Sequence, residues 1–395
     1  MIEVANIFKE YGELYRNKHK LPLQHLKVMS AIEDCRTSKL GGHIEVCDKC
    51  RHIKISYNSC RNRHCPKCQS LSKERWLEAR MKDLMPIQYF HIVFTIPSGL
   101  NALALQNKKL LYSILFRASS ETLTELSRDH KHLGAEIGFL SLLHTWGQNL
   151  MDHPHIHCIV TGGGLSLDST RWVSCREDFF IHVKVLSRVF RGKFLDYLKK
   201  LYYSNKLNFS GQISALGSRQ EFKILIDTLY KTEWVVYSKP PFKSPEHVLK
   251  YLGNYTHKVA ISNSRLTDLK DDKVSFKWRD YKDGNKPKLM TLDAFEFIRR
   301  FLLHVLPNGF VKMRHYGILS NRNRKTKLEK CKKLLGVPSE NDLKSKVKET
   351  WEELLLRISQ IDIRICPCCK KGHMIIKETI FPHSGSPPNK KAITA

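Results

Sequence analysis

The 395-residue sequence has no run of eighteen apolar residues free of charged or strongly polar interruption, so no membrane-spanning helix is predicted. Met1 to Leu21 carries Glu3, Lys9, Glu10, Glu13, Arg16, Lys18 and Lys20 and lacks the apolar core of a secretory signal, which predicts a cytoplasmic protein. No GxxxxGK[ST] loop occurs, so any strand separation or nucleotide-driven work has to come from elsewhere. Acidic residues are scarce. The 38 Asp and Glu stand against 67 Lys and Arg, a formal charge of +29, and such an excess calls for a polyanionic partner rather than a neutral solvated surface. With 42% hydrophobic residues the chain can still bury real cores, which excludes wholesale disorder, and its length suggests two or three domains.

Twelve cysteines in a chain expected in a reducing compartment need an explanation other than disulfides. Six fall between Cys35 and Cys68 and three between Cys366 and Cys369, while Cys158, Cys175 and Cys331 are scattered and read as ordinary buried thiols. Cys47-x2-Cys50 and Cys65-x2-Cys68, separated by fourteen residues, have the spacing of a four-thiolate zinc site. The polar flanks Asp48, Lys49, Arg51, Lys54, Arg61, Arg63 and Lys67 exclude a core location. Cys35, His43, Cys60 and His64 interleave with that set; they form a second zinc site or else support the fold and contact phosphate. Cys366-x2-Cys369, with Cys368 and His373, is half a knuckle without obvious partners.

The hydrophobic pattern predicts two N-terminal helices, the first with Ile7, Tyr11, Leu14 and Tyr15 on one face, and a basic helix over 71–84 that stops at Pro86. Strands are predicted at 89–96, 137–146 and 155–161, the last closed by Gly162, Gly163 and Gly164, and further strands at 234–237 and 274–278. Helices are predicted over 100–126, 185–203, 219–230 and 292–305, and another with Ser244 as N-cap and Pro245 in its first turn. The expected class is α+β, a central and mainly antiparallel sheet flanked by helices. The expected organisation is a helical and zinc-binding domain over 1–85, a catalytic domain over 86–270, a basic C-terminal region over 271–381 and a disordered tail over 382–395.

His155-Ile156-His157 lies on a predicted strand, so both imidazoles point to one face, about 6–7 Å apart at Cα, and can chelate one divalent ion. An antiparallel return between the strands would bring His144 beside them, with Gln148 as the competing third ligand. Such a site, with open positions, suits Mg²⁺ or Mn²⁺ and the oxygens of a phosphate. Tyr251 and Tyr255 share one helix face. Beside a metal they suggest phosphoryl transfer to a tyrosine, giving a 5′-phosphotyrosine and a free 3′-OH.

These motifs resemble the two-tyrosine HUH rolling-circle transposases of bacterial insertion sequences, in the zinc-domain-bearing group related to the ISCR elements. The resemblance rests on CRTSKLGGHIEVCDKC (35–50), YNSCRNRHCPKCQ (57–69), LHTWGQNLMDHPHIHCIVTGGG (143–164), YLGNYTHKVAISNSRL (251–266) and EFIRRFLLHVLPNGFVKMRHYG (296–317). It implies an HUH-type fold, His155 and His157 as the metal motif, Tyr251 and Tyr255 as paired nucleophiles, and an N-terminal transposase zinc-binding domain. The expected partner is DNA, chiefly the single-stranded ends of the protein's own element, with a host helicase and the replication machinery, and the expected location is the bacterial nucleoid. Arg61, Arg63, Lys67, Lys258, Arg299, Arg300, Arg314 and Lys325 are the expected phosphate contacts. The alternatives are a plasmid replication initiator or relaxase with the same chemistry, and a zinc-finger regulator with none.

Overall fold

The fold is described from a computed structural model covering residues 2–68, 70–239, 260–280, 283–337 and 349–382, together with Phe242, His247, Val248 and Gly253. It divides into two compact units, and the chain leaves and re-enters each of them. The first comprises residues 1–75, 257–305 and 345–395, and the second residues 76–256 and 306–344. The basic region expected over 271–381 is therefore divided between the two units, because its strands pair with partners far back in the chain.

The chain opens with α1 (Val4–Lys18) and α2 (Leu23–Glu33), followed by a hairpin of β1 (Gly42–Cys47) and β2 (Ile53–Tyr57). Helix α3 (Ser70–Met81) leads into the second unit. There β3 (Tyr89–Thr95), α4 (Asn101–Gln106), α5 (Lys108–Arg128), β4 (Ala135–Trp146), β5 (Asp152–Ser166) and β6 (Trp172–Ser174) follow, then α6 (Val183–Tyr203), α7 (Arg219–Lys231) and β7 (Val236–Lys239). Returning to the first unit, β8 (Leu266–Lys270), β9 (Lys273–Asp280) and β10 (Lys286–Asp293) form an antiparallel sheet that leads into α8 (Ala294–Leu303). Asp293 caps α8 by accepting the Phe295 N–H. The second unit then gains β11 (Met313–Gly317) and α9 (Glu329–Leu334), and the first is completed by α10 (Trp351–Ser359) and β12 (Met374–Ile380).

The central sheet of the second unit has the order β11-β4-β5-β3-β7, with β6 on β5, and every pairing is antiparallel. One face carries Phe90, Ile92, Phe94, Phe139, Leu143, Ile156 and Val160 and buries them against α5 and α6. Phe190 on α6 is fully buried there, with ring centroids 5.0 Å from Phe94 and 5.3 Å from Trp234. The opposite face presents Tyr89, Leu140 and Ile159, covered in part by Trp76, Leu77 and Val248, and continues into the histidines. Because β5 alternates apolar residues with histidine, one strand serves both a packed core and a polar site.

Strand β5 does not end at the glycines as expected but runs through them to Ser166. A Cβ on Gly164 would lie 2.5 Å from the Glu136 carbonyl oxygen, and one on Gly163 2.5 Å from that of Val173. The glycines here admit two flanking strands at close range instead of breaking the ladder.

In the first unit α1 packs on α8 through an edge-to-face pair, Phe8 and Phe301, with centroids 5.3 Å apart. Strand β12 pairs with β1 on the side away from β2, so residues more than 300 positions apart share a three-stranded sheet. Among the described residues no helix is long and apolar enough to cross a membrane.

Phe190→Ala should lower the unfolding free energy of the second unit by about 3–5 kcal/mol, read as a shift in its denaturant midpoint. A shift below about 1 kcal/mol would mean that this core is not the unit's main support.

Candidate functional site

The antiparallel pairing of β4 and β5 decides the site. His144 stands directly opposite His155, and Leu142 opposite His157, so His144, His155 and His157 emerge from the same face. Their ring centroids are 4.4 to 5.5 Å apart, and one nitrogen from each ring lies within 4.8 Å of the other two. His144 is thus brought to the pair as the third potential ligand. The ladder register shifts just beyond it, between His144 and Trp146, and the Trp146 ring stacks on His144 at 4.8 Å.

The hydrogen bonds set the tautomers. His155 Nδ1 lies 2.6 Å from the His153 carbonyl oxygen; a carbonyl only accepts, so Nδ1 carries the proton and Nε2 keeps its lone pair. On β3, His91 places Nε2 2.8 Å from His157 Nδ1, with the two rings nearly parallel. That contact occupies the outer nitrogen of His157 and leaves Nε2 facing the cluster. His155 Nε2 and His157 Nε2 are 3.0 Å apart, the separation of adjacent ligands around an octahedral ion with bonds of about 2.1 Å. Burial holds His155 down to about 4 and His91 to about 3, and drives His157 well below its ordinary value, so these rings are neutral donors at neutral pH. Three imidazoles with open positions fit a divalent cation that also takes phosphate oxygens, and nitrogen donors favour Mn²⁺ over Mg²⁺.

His91 escaped the sequence reading. It sits in an apolar strand, and only the β3–β5 register, with Val93 opposite His157, makes it a diagonal neighbour of His157. Tyr251, Tyr255 and Lys258, with Asn254 and His257 beside them, lie outside the described residues.

The thiols assemble differently from the expected set of Cys47, Cys50, Cys65 and Cys68. Cys65 and Cys68 join Cys35 and Cys60, whereas Cys47 and Cys50 join Cys366 and Cys369. The β1–β2 hairpin explains the split, because it carries the first CxxC turn to the strand that pairs with β12. His43 and His64 belong to neither group. His43 instead lies 3.6 Å from Glu45, and His64 is buried in the loop, its backbone N–H donating to Asn62.

In the first set Cys35 and Cys68 sulfurs are 3.5 Å apart and those of Cys60 and Cys68 3.6 Å. A tetrahedral zinc with bonds of about 2.3 Å requires about 3.8 Å, so a small expansion admits the ion. Hydrogen bonding among the four sulfurs splits them: with Cys60 it pulls Cys35 down to about 7 and with Cys35 it pulls Cys68 down, while it pushes Cys60 and Cys65 up, so zinc binding there has to displace the remaining thiol protons.

The expected phosphate contacts differ in how free they are. Arg61 is exposed in the thiol-bearing loop, Arg63 is half-buried beside it, and Lys67 pairs with Glu3 at 2.5 Å. Arg299 and Arg300 both clasp Glu296 at 2.6 Å, which offsets part of their charge. Arg314 lies over the Phe116 ring at 4.1 Å, and Lys325 is exposed.

A family described as "Putative transposase" matches residues 138–327, which include the three histidines. One described as "Transposase zinc-binding domain" matches residues 7–96, which include the first thiol set but not Cys366 or Cys369. The chain is 52% identical over 391 residues to "Putative transposase y4qJ" of Sinorhizobium fredii, covering 98% of this chain and 97% of that protein. It is 28% identical over 291 residues to "Transposase for insertion sequence element IS801" of Pseudomonas savastanoi pv. phaseolicola, covering 73% and 68%.

Cys60→Ser should cost one bound zinc per chain, measured by elemental analysis of purified protein, while His43→Ala and His64→Ala keep the wild-type content. Loss of zinc from His64→Ala would restore the histidine to the ligand set.

Proposed function

The chain belongs to the insertion-sequence transposase family that carries a zinc-binding domain, and on that premise we propose that it nicks and rejoins single-stranded DNA at the ends of a mobile element through 5′-phosphotyrosine intermediates. The observation that carries the proposal is the convergence of His144, His155 and His157 on a face from which their nitrogens can bind one cation.

Bound there, Mg²⁺ or Mn²⁺ would polarise the non-bridging oxygens of the scissile phosphate. His155 and His157 would hold that cation, each with its outer nitrogen engaged, and His91 keeps the His157 ring from rotating. The Tyr251 or Tyr255 oxygen attacks phosphorus. A bond from tyrosine oxygen to phosphorus forms, the bond from phosphorus to the 3′ oxygen breaks, and that oxygen leaves as a 3′-OH after taking up a proton. The phenol proton passes to solvent. In the reverse step a 3′-OH attacks the phosphotyrosine and releases the tyrosine, so joining consumes no nucleotide. Two tyrosines let two strand ends be held in turn or together.

The sequence has no phosphate-binding motor loop, which leaves strand separation to a host helicase or to replication. Arg61, Arg63, Arg314 and Lys325, with Lys258 near the tyrosines in sequence, would supply most of the salt-dependent grip on the phosphates, and Lys67, Arg299 and Arg300 would contribute only by giving up their carboxylate partners. A DNA substrate of this kind puts the protein at the nucleoid.

The test incubates the protein with single-stranded oligonucleotides from the element's ends. A protein–DNA adduct stable to denaturant should form with Mn²⁺ or Mg²⁺, disappear with EDTA, and be absent from the Tyr251→Phe/Tyr255→Phe variant. His155→Ala should abolish it, and His91→Ala should slow it roughly 10–100-fold, with recovery at high Mn²⁺. An adduct that survives in the double tyrosine variant would remove both nucleophiles from the mechanism.

A further inference from the structure

The second thiol set combines residues from opposite ends of the chain. Cys47 ends β1 and Cys50 follows it, and Cys366 and Cys369 precede β12. Cys47 Sγ lies 3.7 Å from Cys369 Sγ, and Cys50 Sγ 3.6 Å from Cys366 Sγ, close to the sulfur spacing around tetrahedral zinc and far beyond a disulfide bond.

The two turns have the same build. Each second cysteine is followed by a residue in the left-handed region, Arg51 at φ 60° and Lys370 at φ 57°. Each turn also directs a backbone N–H at a sulfur three residues back, Cys50 N–H to Cys47 Sγ at 3.4 Å and Gly372 N–H to Cys369 Sγ at 3.3 Å. Such donors stabilise thiolate. The turns also clasp each other: the Asp48 N–H donates to the His373 carbonyl at 3.0 Å, and the His373 N–H donates to Asp48 Oδ1 at 2.8 Å. A Cβ on Gly372 would lie 2.4 Å from Cys47 Sγ and 2.6 Å from Asp48 Oδ1, so only glycine fits between the turns. By contrast Cys368, in the same CPCC run, is exposed and outside the set.

We propose that Cys47, Cys50, Cys366 and Cys369 bind a second structural zinc, which staples the C-terminal strand onto the N-terminal zinc module. The two ligand pairs lie 316 positions apart, so the ion closes nearly the whole chain into one loop. All four positions of the tetrahedron are thiolate, which leaves none for water or substrate, so the site is structural. A direct consequence is that the N-terminal zinc module is not self-sufficient. Residues 7–96 contain only half of this site.

The test is the metal content and thiol reactivity of the full-length protein. Wild type should hold two zinc ions per chain, Cys366→Ser/Cys369→Ser one, and Cys368→Ser two. Wild type alone supplies the second arm: as a chelator strips the metal, alkylation mapped by mass spectrometry should appear at Cys47, Cys50, Cys366 and Cys369 as one group, apart from Cys35, Cys60, Cys65 and Cys68. A single zinc in wild type, two zincs retained in the double variant, or alkylation that tracks Cys47 and Cys50 with Cys65 and Cys68 would each overturn the proposal.

Discussion

The antiparallel register between β4 and β5 is the constraint on which the site depends. It sets His144 opposite His155 and makes three imidazoles one group. A slip of one residue would turn His144 towards α5 and α6 and break both the site and the core, since the two faces of β5 serve different purposes. The core packing of Ile156 and Val160 against those helices therefore also fixes where the histidines point. The next strand adds His91, which links the register of β3 to the ring orientation of His157.

The first unit follows a different logic. Its helices α1 and α8 bury Phe8, Phe297 and Phe301, but its thiol-bearing sheet has little apolar core, and strands β2 and β12 expose Ile53, Ile55, Ile375 and Ile376. That sheet is joined by the thiol clusters at its turns and by β12, which returns after the second unit. Several cations expected on DNA are already engaged, Lys67 with Glu3 and Arg299 and Arg300 with Glu296, whereas Arg61 and Lys325 remain exposed. Net charge signals the class of partner, and ion pairing decides which residues are available to it.

Local pattern carried most of the fold and half of the site. The alternation in FLSLLHTW and HIHCIV is strong enough to identify both strands and the face of each histidine, because a two-residue period leaves no other arrangement. What could not be read depended on pairings between distant segments. Strands β11 and β12 gain their identity only from β4 and β1, so the region after residue 271 looked like a basic appendage. The cysteines show the same limit. CxxC spacing identifies a knuckle but not its mate, and two equally spaced knuckles 14 residues apart suggested a single site. The unpaired CxxC at 366–369 was the available signal that the thiols should be counted in two fours.

The central claim is that the three histidines hold a divalent cation as the working centre of a DNA-nicking enzyme. It is tested most directly by pulsed electron paramagnetic resonance of Mn²⁺ bound to the full-length protein with a single-stranded end oligonucleotide. The account predicts coupling to imidazole nitrogens that weakens in His144→Ala and vanishes in His155→Ala/His157→Ala, together with coupling to a DNA phosphorus. Mn²⁺ coupled to phosphorus and water alone, with no histidine nitrogen, would contradict it.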